Sequence, residues 1–198
     1  MKSFWNERYG GRDFVYGELP NVFFAEMLSA IKSGTIILPC DGEGRNAVYA
    51  AKQGWKVEAF DISEAGKTKA NHLALKYNVM IDFKIKDAAT ALYPNHSADV
   101  VALIYTHLPI EVRKKLHHNV VNWLKPSGKV ILETFCPDQL KNSSGGPKDI
   151  DMLYTKEILA EDFKELNIEY LEYASIQLNE GEYHEGKADV IRMIATKY

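Results

Sequence analysis

Two glycines lie in a segment that could bring the chain close to a nucleotide. The segment Leu38-Pro39-Cys40-Asp41-Gly42-Glu43-Gly44-Arg45-Asn46 lies between a predicted strand and a predicted helix. Glycine lets a backbone pass close to a bound ligand. Asp61 follows about 20 residues later at the end of the next predicted strand, where a carboxylate accepts hydrogen bonds from ribose hydroxyls. Capping of the following helix is the alternative role for Asp61.

The spacing of the loop leaves two kinds of cofactor open. Gly42, Gly44 and Ala47 satisfy the G-x-G-x-x-G/A pattern of dinucleotide-binding proteins, so an NAD(P)-dependent oxidoreductase is one hypothesis. Asp41 and Glu43 place negative charge where a pyrophosphate needs a helix N-terminus free of anions. A ligand that carries an ammonium and a sulfonium group tolerates these carboxylates. The charge of the loop therefore favours a cationic nucleoside.

Histidines are the candidate general bases. His107 follows the fourth predicted strand, and His184 lies in the segment that joins the last two. A neutral imidazole at either place can take a proton from a substrate, and for His107 a structural hydrogen bond is an equal alternative. His117 and His118 lie in a helical pattern with no third metal ligand in sight. We expect them on a solvated helix face, and we predict no metal site.

The elements that must position these residues alternate short apolar runs with longer helical patterns. This alternation is typical of an α/β fold with a parallel sheet covered by helices. The predicted strands are 35–38, 56–60, 81–85, 99–104 and 129–135, and the predicted helices are 46–53, 64–77 and 109–124. Ser63 is the predicted cap of the second helix.

The C-terminal part departs from this alternation. Two strand-like runs, 168–178 and 188–196, are joined by a glycine-bearing segment instead of a helix, which predicts an antiparallel hairpin. The stretch 136–151 is rich in turn formers. It predicts a surface loop that could close over a substrate.

Length and composition limit the classes of function. A chain of 198 residues accommodates one well-buried core, so we expect a single domain. The formal net charge of -3 gives no electrostatic footprint for nucleic acid. The charged N-terminus and the lack of a long apolar stretch predict a cytoplasmic protein without a membrane span. Cys40 and Cys136 are expected to be buried, reduced thiols.

An ordered set of motifs resembles the class I S-adenosylmethionine-dependent methyltransferases over nearly the whole chain. The set comprises Gly42-Glu43-Gly44-Arg45-Asn46, Asp61, Asp87, Leu124-Lys125-Pro126-Ser127-Gly128 and the closing hairpin. Within that class the chain is most similar to the small tellurite-resistance and thiopurine S-methyltransferase-like group, which shares the G-E-G-R-N loop and an N-terminal segment like Phe4-Trp5-Asn6-Glu7-Arg8-Tyr9. The resemblance implies a Rossmann-like three-layer sandwich with a seven-stranded, mostly parallel sheet and a C-terminal antiparallel hairpin.

The resemblance also implies S-adenosylmethionine as the cofactor and a role for individual residues. It assigns Asp41, Gly42 and Gly44 to the methionine portion, Asp61 to the ribose, Ile62 to an adenine face, Asp87 and Ala88 to the adenine edge, Tyr105 to the methionine side, and Trp5, Tyr9 and Asn46 to further cofactor contacts. Tyr16 and Tyr183 are the expected substrate contacts. Residues 1–34 become an N-terminal lid and helix, and residues 35–198 the Rossmann-like core. The aromatic N-terminus could instead merely staple the first segment to the core.

The leading hypothesis is methyl transfer to a small-molecule acceptor, with a soft sulfur, selenium or tellurium nucleophile as one form. Such a nucleophile needs only positioning, whereas oxygen or nitrogen nucleophiles benefit from a base. Two alternatives remain: the oxidoreductase, and a non-catalytic cofactor-binding sensor suggested by Leu38 and Cys40, where many class members have an acidic residue and a glycine. We expect a monomer or a weak homodimer that binds neither nucleic acid nor membrane.

Overall fold

A computed structural model describes residues 1–198 and contains one seven-stranded sheet in the order β3-β2-β1-β4-β5-β7-β6. The strands β1 to β5 are parallel, and β7 is antiparallel to both β5 and β6. The strands are β1 Thr35–Pro39, β2 Lys56–Asp61, β3 Asp82–Ile85, β4 Ala98–Ile104, β5 Leu124–Phe135, β6 Leu166–Asn179 and β7 Glu185–Lys197. The predicted α/β architecture with its terminal hairpin is thereby confirmed.

Helices cover both faces of the sheet and complete the three layers. They are α1 Lys2–Arg8, α2 Val22–Ser29, α3 Arg45–Lys52, α4 Glu64–Lys76, α5 Ile110–Trp123 and α6 Lys156–Asp162, with short 3-10 helices at Pro137–Lys141 and Ile150–Met152. Successive residues of β1 point to opposite faces: Ile36 packs in the cluster that includes α2 and α3, and Ile37 in the cluster that includes α5 and α6. Both faces are buried, which explains why the central strands are almost wholly apolar.

The starts of three helices follow the predicted signals with small shifts. Ser63 caps α4, because its Oγ accepts a hydrogen bond from the Gly66 N–H at 3.1 Å. Helix α3 begins at Arg45, one residue before the predicted start, since Gly44 takes the left-handed N-cap conformation with φ 84°. Pro109 is the N-cap of α5 and does not form its first turn.

The segment 136–151 is more firmly packed than the predicted surface loop. The side chain of Gln139 is buried; its amide donates to Ser144 Oγ at 3.0 Å, and its Oε1 accepts from the Asp189 N–H at 2.8 Å. These bonds attach the segment to the start of β7. Turn-forming composition indicates an irregular backbone, but it does not reveal a buried amide that replaces regular hydrogen bonds.

The prediction of a solvated face for His117 is wrong. His117 is 1% exposed, and its Nδ1 lies 2.8 Å from Asp162 Oδ2. The partner comes from α6, a helix that the sequence analysis did not predict, and the packing of α6 on α5 removes His117 from water. His118 is exposed, as expected.

The two cysteines are free thiols; Cys136 is buried and Cys40 is half-buried. None of the helices combines the length and the apolar character that crossing a bilayer requires.

Candidate active site

The loop after β1 turns sharply at the carboxyl edge of the sheet. Cys40, Gly42 and Gly44 all have positive φ, at 55°, 57° and 84°. A Cβ on Gly44 would lie 2.4 Å from the Ala70 Cβ of α4, and one on Gly42 would lie 2.6 Å from the hydroxyl of Tyr9. Glycine is therefore required at both places, for conformation and for space. Non-glycine residues with positive φ, such as Cys40, concentrate at functional sites.

Asp61, the last residue of β2, is hydrogen-bonded to this loop. Its Oδ2 accepts a hydrogen bond from the Gly42 N–H at 3.0 Å and its Oδ1 one from the Ser63 N–H at 2.9 Å. The carboxylate is 5% exposed, and burial raises its pKa. Each carboxylate oxygen has more than one lone pair, so these bonds leave acceptor capacity for a further donor. The structure thus brings together Gly42 and Asp61, as the predicted nucleotide site requires.

Asp41 and Asn46 stabilise the start of α3. Asp41 Oδ2 accepts a hydrogen bond from the Ala47 N–H at 3.1 Å, and burial raises the pKa of Asp41 to about 7. Asn46 Oδ1 accepts one from the Asn21 N–H at 3.0 Å, which joins α3 to the start of α2. Neither Asp41 nor Asp61 forms a salt bridge. A cationic ligand placed beside them would therefore favour the ionised form of both carboxyl groups.

Glu43 does not contribute to that charge, contrary to the argument from the loop sequence. Its Oε1 lies 2.7 Å from Lys69 Nζ, and its Oε2 accepts hydrogen bonds from the N–H groups of Val15 and Tyr16 at 2.9 and 3.3 Å. Glu43 is buried, and its negative charge is compensated within the protein. Its role is to hold the N-terminal segment, residues 1–17, against the loop.

The N-terminal segment covers the glycine loop. Asn6 Oδ1 accepts a hydrogen bond from Ser63 Oγ at 2.8 Å and one from the Glu64 N–H at 2.9 Å, so α1 is fixed to the start of α4. Tyr9 is buried with its hydroxyl next to Gly42, and its ring stacks on Trp5 with centroids 5.3 Å apart. Both predicted aromatic residues therefore lie over the predicted cofactor loop.

The adenine side of the predicted site lies at the end of β3. The register pairs Asp61 with Ile85, the last residue of β3. Asp87 therefore lies two residues beyond the end of the strand next to β2. Asp87 is exposed, and its Oδ1 accepts a hydrogen bond from the Ala89 N–H at 2.8 Å. Ala88 is buried, and Ile62 is half-buried beside Asp61. Asp61 and Asp87 thus lie at the same edge of the sheet.

Aromatic rings pack together beyond the carboxyl ends of β4 and β5. The ring of His184 lies 4.5 Å from that of Tyr16 and 4.6 Å from that of Tyr105, centroid to centroid. Tyr105 has a φ of 51° and donates its hydroxyl to Glu133 Oε1 at 2.8 Å. Tyr183 is partly exposed, and the Arg8 guanidinium lies 3.9 Å from its ring centroid. Arg8 Nη1 also donates to the Tyr16 hydroxyl at 3.5 Å, so the predicted substrate residues Tyr16 and Tyr183 share a contact with Arg8, and Tyr16 also packs on His184.

The two candidate bases differ in what their nitrogens contact. Nδ1 of His107 lies 2.6 Å from the Met152 carbonyl oxygen, and its Nε2 lies 3.0 Å from Thr134 Oγ1. Burial lowers the pKa of His107 to about 4. His184 Nδ1 lies 3.1 Å from Glu180 Oε2, whereas its Nε2, on the edge of the ring beside Gly145, makes no side-chain hydrogen bond within the protein. Both ring nitrogens of His107 are hydrogen-bonded, which fits the structural alternative. In His184 only Nδ1 is hydrogen-bonded, so Nε2 could accept a proton from a substrate.

Three functional residues escaped the sequence analysis. Glu133 is fully buried in β5, where it accepts hydrogen bonds from Asn21 Nδ2 at 2.5 Å and Arg192 Nε at 2.6 Å. Arg45 and Glu180 form a second buried ion pair at 2.9 Å. A carboxylate within the apolar run of β5 was an available signal for Glu133, because charge is rarely buried without a partner. The pairing of Arg45 with Glu180 has no signal in local sequence.

Comparison with known protein families agrees with this geometry. Residues 39–128 match a family model, Methyltransf_25, described as a methyltransferase domain. The matched segment contains the glycine loop, Asp61, Asp87 and Tyr105. The fold, the geometry of the site and the matched segment are together similar to those of S-adenosylmethionine-dependent methyltransferases.

Individual similar proteins support the same class. The chain is 29% identical over 136 residues to phosphoethanolamine N-methyltransferase 1 of Zea mays, an alignment that covers 68% of this chain and 26% of the plant protein. The chain thus spans about a quarter of the length of the curated relatives it matches. TehB from Haemophilus influenzae has a TM-score of 0.70 at 17% identity, covering all of this chain and 67% of TehB.

A third similar protein was solved with a product of the cofactor. Geranyl diphosphate C-methyltransferase from Streptomyces coelicolor A3(2), in complex with S-adenosyl-L-homocysteine, has a TM-score of 0.70 at 11% identity. The alignment covers 100% of this chain and 96% of that chain. At such identities the solved structures establish the fold alone.

Proposed function

We propose that this chain transfers the methyl group of S-adenosylmethionine to a small-molecule acceptor bound beside His184. The observation that carries the proposal is the junction of Gly42 with Asp61 at the carboxyl edge of β1 and β2, inside the segment that matches a methyltransferase domain. Ligands of open α/β sheets bind at the carboxyl ends of the strands. We therefore assign the binding site of the acceptor to the carboxyl ends of β4 and β5 and to the hairpin.

The residues at this edge suit a cationic nucleoside. Asp41 and Asp61 are carboxylates without an ion pair, and Gly42 and Gly44 keep the backbone of the loop free of side chains. We assign Asp61 to the ribose, Ile62, Asp87 and Ala88 to the adenine, and Asp41, Gly42, Gly44, Asn46 and Tyr105 to the methionine side. Trp5 and Tyr9 lie over these groups as part of a lid.

When bound, the cofactor supplies an activated methyl group on a sulfonium. The protein needs no covalent intermediate, because catalysis of such an in-line displacement comes from orientation of the nucleophile and exclusion of water. The N-terminal segment excludes water from the loop through Tyr9, and the rings of Tyr16 and Tyr105 order the acceptor side. Tyr183 contributes at the rim of the same side.

Two acceptor classes are candidates. The sequence resemblance to the tellurite-resistance and thiopurine S-methyltransferase-like group favours a sulfur, selenium or tellurium nucleophile. The relatives named phosphoethanolamine N-methyltransferase favour an amine as the second candidate. Both are small molecules, in agreement with a crevice closed by aromatic side chains.

Isothermal titration calorimetry with S-adenosylmethionine and S-adenosylhomocysteine tests the cofactor assignment. We expect both to bind, and we expect NAD and NADP to leave the thermal unfolding temperature unchanged. Asp61→Asn should weaken the binding of S-adenosylmethionine by about 1 to 3 kcal/mol through loss of a charge-assisted hydrogen bond. Asp82→Asn, an exposed carboxylate on β3, is the control and should bind as the unaltered protein does. Binding of neither nucleoside would refute the proposal.

The remaining predictions concern the oligomeric state, the location in the cell and nucleic-acid binding. We predict a monomer or a weak homodimer in solution, which sedimentation velocity would measure directly. A cytoplasmic location and the lack of nucleic-acid binding likewise stay predictions.

A further inference from the structure

Glu180 lies at the end of β6, where the hairpin turns, and contacts two basic groups at once. Its Oε2 lies 2.9 Å from Arg45 Nη2 and 3.1 Å from His184 Nδ1. The side chains of Glu180 and His184 are 11% and 7% exposed. Hydrogen bonds donated by a guanidinium and by an imidazole N–H both stabilise a buried carboxylate as an anion.

Arg45 connects this carboxylate to the cofactor loop. It directly follows Gly44, and its Nη1 donates hydrogen bonds to the carbonyl oxygens of Tyr16 and Leu19 at 3.1 and 3.4 Å. Arg45 is 7% exposed. The buried side chain of Arg45 thus contacts the glycine loop, the N-terminal segment and the hairpin. It fixes the position of Glu180, and Glu180 in turn fixes the position of His184.

The contact with Glu180 selects one form of His184. An ionised carboxylate can only accept hydrogen bonds, so His184 Nδ1 must carry the proton, and in the neutral ring Nε2 keeps its lone pair. Burial lowers the pKa of His184, which leaves the ring neutral at neutral pH. Burial by itself would raise the pKa of Glu180, but the hydrogen bond from His184 and the charge of Arg45 lower it overall.

Other charged groups around His184 do not change this assignment. Glu133 is the further carboxylate that acts on the ring, and it is paired with Arg192. Tyr16 and Tyr105 flank the ring, and burial raises the pKa of both phenols, so they stay neutral. His184 Nε2 is therefore an atom with a free lone pair on a buried ring that is packed between aromatic side chains.

Resting on the proposed function, we infer that Glu180, held by Arg45, is a positioning residue that fixes His184 as a general base, and that the acceptor is a protic nucleophile such as a thiol, a selenol or an amine. The acceptor atom bonds to the methyl carbon as the carbon–sulfur bond breaks and leaves its electron pair on sulfur. The proton of the acceptor passes to His184 Nε2. The resulting imidazolium is stabilised by Glu180.

Nuclear magnetic resonance of ¹⁵N-labelled histidine tests the positioning role without an acceptor. In the unaltered protein with S-adenosylhomocysteine added, we expect a protonated Nδ1 and an unprotonated Nε2 on His184, assigned with His184→Gln. Glu180→Gln should lower the pKa of His184, because the charge that favours the imidazolium is lost. Glu182→Gln, an exposed glutamate in the same turn, should leave the pKa of His184 unchanged. An Nδ1 without a proton, or an unchanged pKa in Glu180→Gln, would overturn the positioning role.

Methyl transfer to small probe acceptors tests the acceptor class. With 2-mercaptoethanol and phosphoethanolamine, His184→Gln should lower the rate by about 10² to 10⁴-fold. Glu180→Gln should lower it at least tenfold and move the acid limb of kcat/KM to lower pH, with Glu180→Asp partly restoring both. The titration of the acceptor is common to all variants, so a shift of the limb reports His184.

Dimethyl selenide, a soft nucleophile with no proton to lose, separates the inference from the proposed function. We expect both substitutions to lower its methylation far less than they lower methylation of the protic acceptors. If S-adenosylmethionine does not bind at all, the proposed function fails. If it binds and dimethyl selenide is methylated, but the protic acceptors react equally well in the His184 and Glu180 variants, the function stands and the inference is refuted.

Discussion

The two halves of the crevice are built by contacts of very different range. In the cofactor half, formed by the carboxyl ends of β1 to β3, the bond from Gly42 to Asp61 spans 19 residues of sequence and that from Ala47 to Asp41 spans 6. In the acceptor half, formed by β4, β5 and the hairpin, the bond from Arg192 to Glu133 spans 59 residues and that from Arg45 to Glu180 spans 135. The proposed cofactor site thus depends on a local motif, whereas the proposed acceptor site depends on contacts across the complete fold.

Removal of the Glu133 carboxylate, in the acceptor half, should cause the largest loss of stability. The carboxylate is fully buried and accepts hydrogen bonds from Asn21, Tyr105 and Arg192. Glu133→Ala leaves these donors without their shared acceptor and should lower the free energy of unfolding by about 3 to 5 kcal/mol. Urea denaturation followed by circular dichroism measures the change.

A second glutamate provides the matched control for Glu133. Glu172 on β6 is in register with Arg192 of β7, but it is exposed and its ion pair is with Lys156 at 2.6 Å. Glu172→Ala should cost about 0 to 1 kcal/mol, as exposed ion pairs do. Equal losses in the two variants would contradict the view that a buried long-range network supports the acceptor half.

Particular residues show how far the sequence could predict this molecule. The strands, the Ser63 cap and the hairpin follow from periodicity and turn residues, and the junction of Gly42 with Asp61 follows from the order of strands in a parallel sheet. These features depend on neighbours in sequence or on neighbouring strands. A pattern of residue types is sufficient to detect them.

The rest depends on packing between distant segments. The burial of His117 results from a helix, α6, of only seven residues, among which Leu159 is the buried one. The pairing of Glu43 with Lys69 reverses the expected contribution of Glu43 to the charge of the loop. Neither contact leaves a periodic signal, because each joins single side chains that only the finished fold brings together.

A buried group in each half should make stability depend on pH, with opposite signs in the two halves. Burial raises the pKa of Asp41 from 3.8 to about 7, so the folded state retains a proton in that interval and stability falls as pH rises. Burial lowers the pKa of His107 from 6.5 to about 4, so the folded state binds fewer protons between those values and stability rises with pH. The two groups oppose each other between about pH 4 and pH 6.5.

Asp41→Asn should therefore gain stability relative to the unaltered protein as pH increases from 4 to 7, by at most about 1.4 kcal/mol per pH unit. Urea denaturation at four pH values in this interval measures the slope. Asp151→Asn, an exposed aspartate in the segment 136–151, is the control and should give a curve parallel to that of the unaltered protein. A parallel curve for Asp41→Asn would show that its carboxylate is not desolvated.

The smallest expected effect concerns the attachment of the N-terminal segment to the cofactor half. Helix α1 has no buried residue, and Asn6 and the exposed pair of Lys2 with Glu64 provide its polar contacts with the start of α4. Asn6→Ala should lower the free energy of local opening of the segment by about 1 kcal/mol, as the loss of a capping side chain does, and should raise amide hydrogen exchange in residues 2–9 about fivefold. Glu7→Ala, an exposed neighbour in the same helix, should not change exchange. If exchange rises only in Asn6→Ala while global stability stays within about 0.5 kcal/mol, the segment opens separately from the core. A segment that opens in this way can admit the cofactor to Gly42, which Tyr9 otherwise covers.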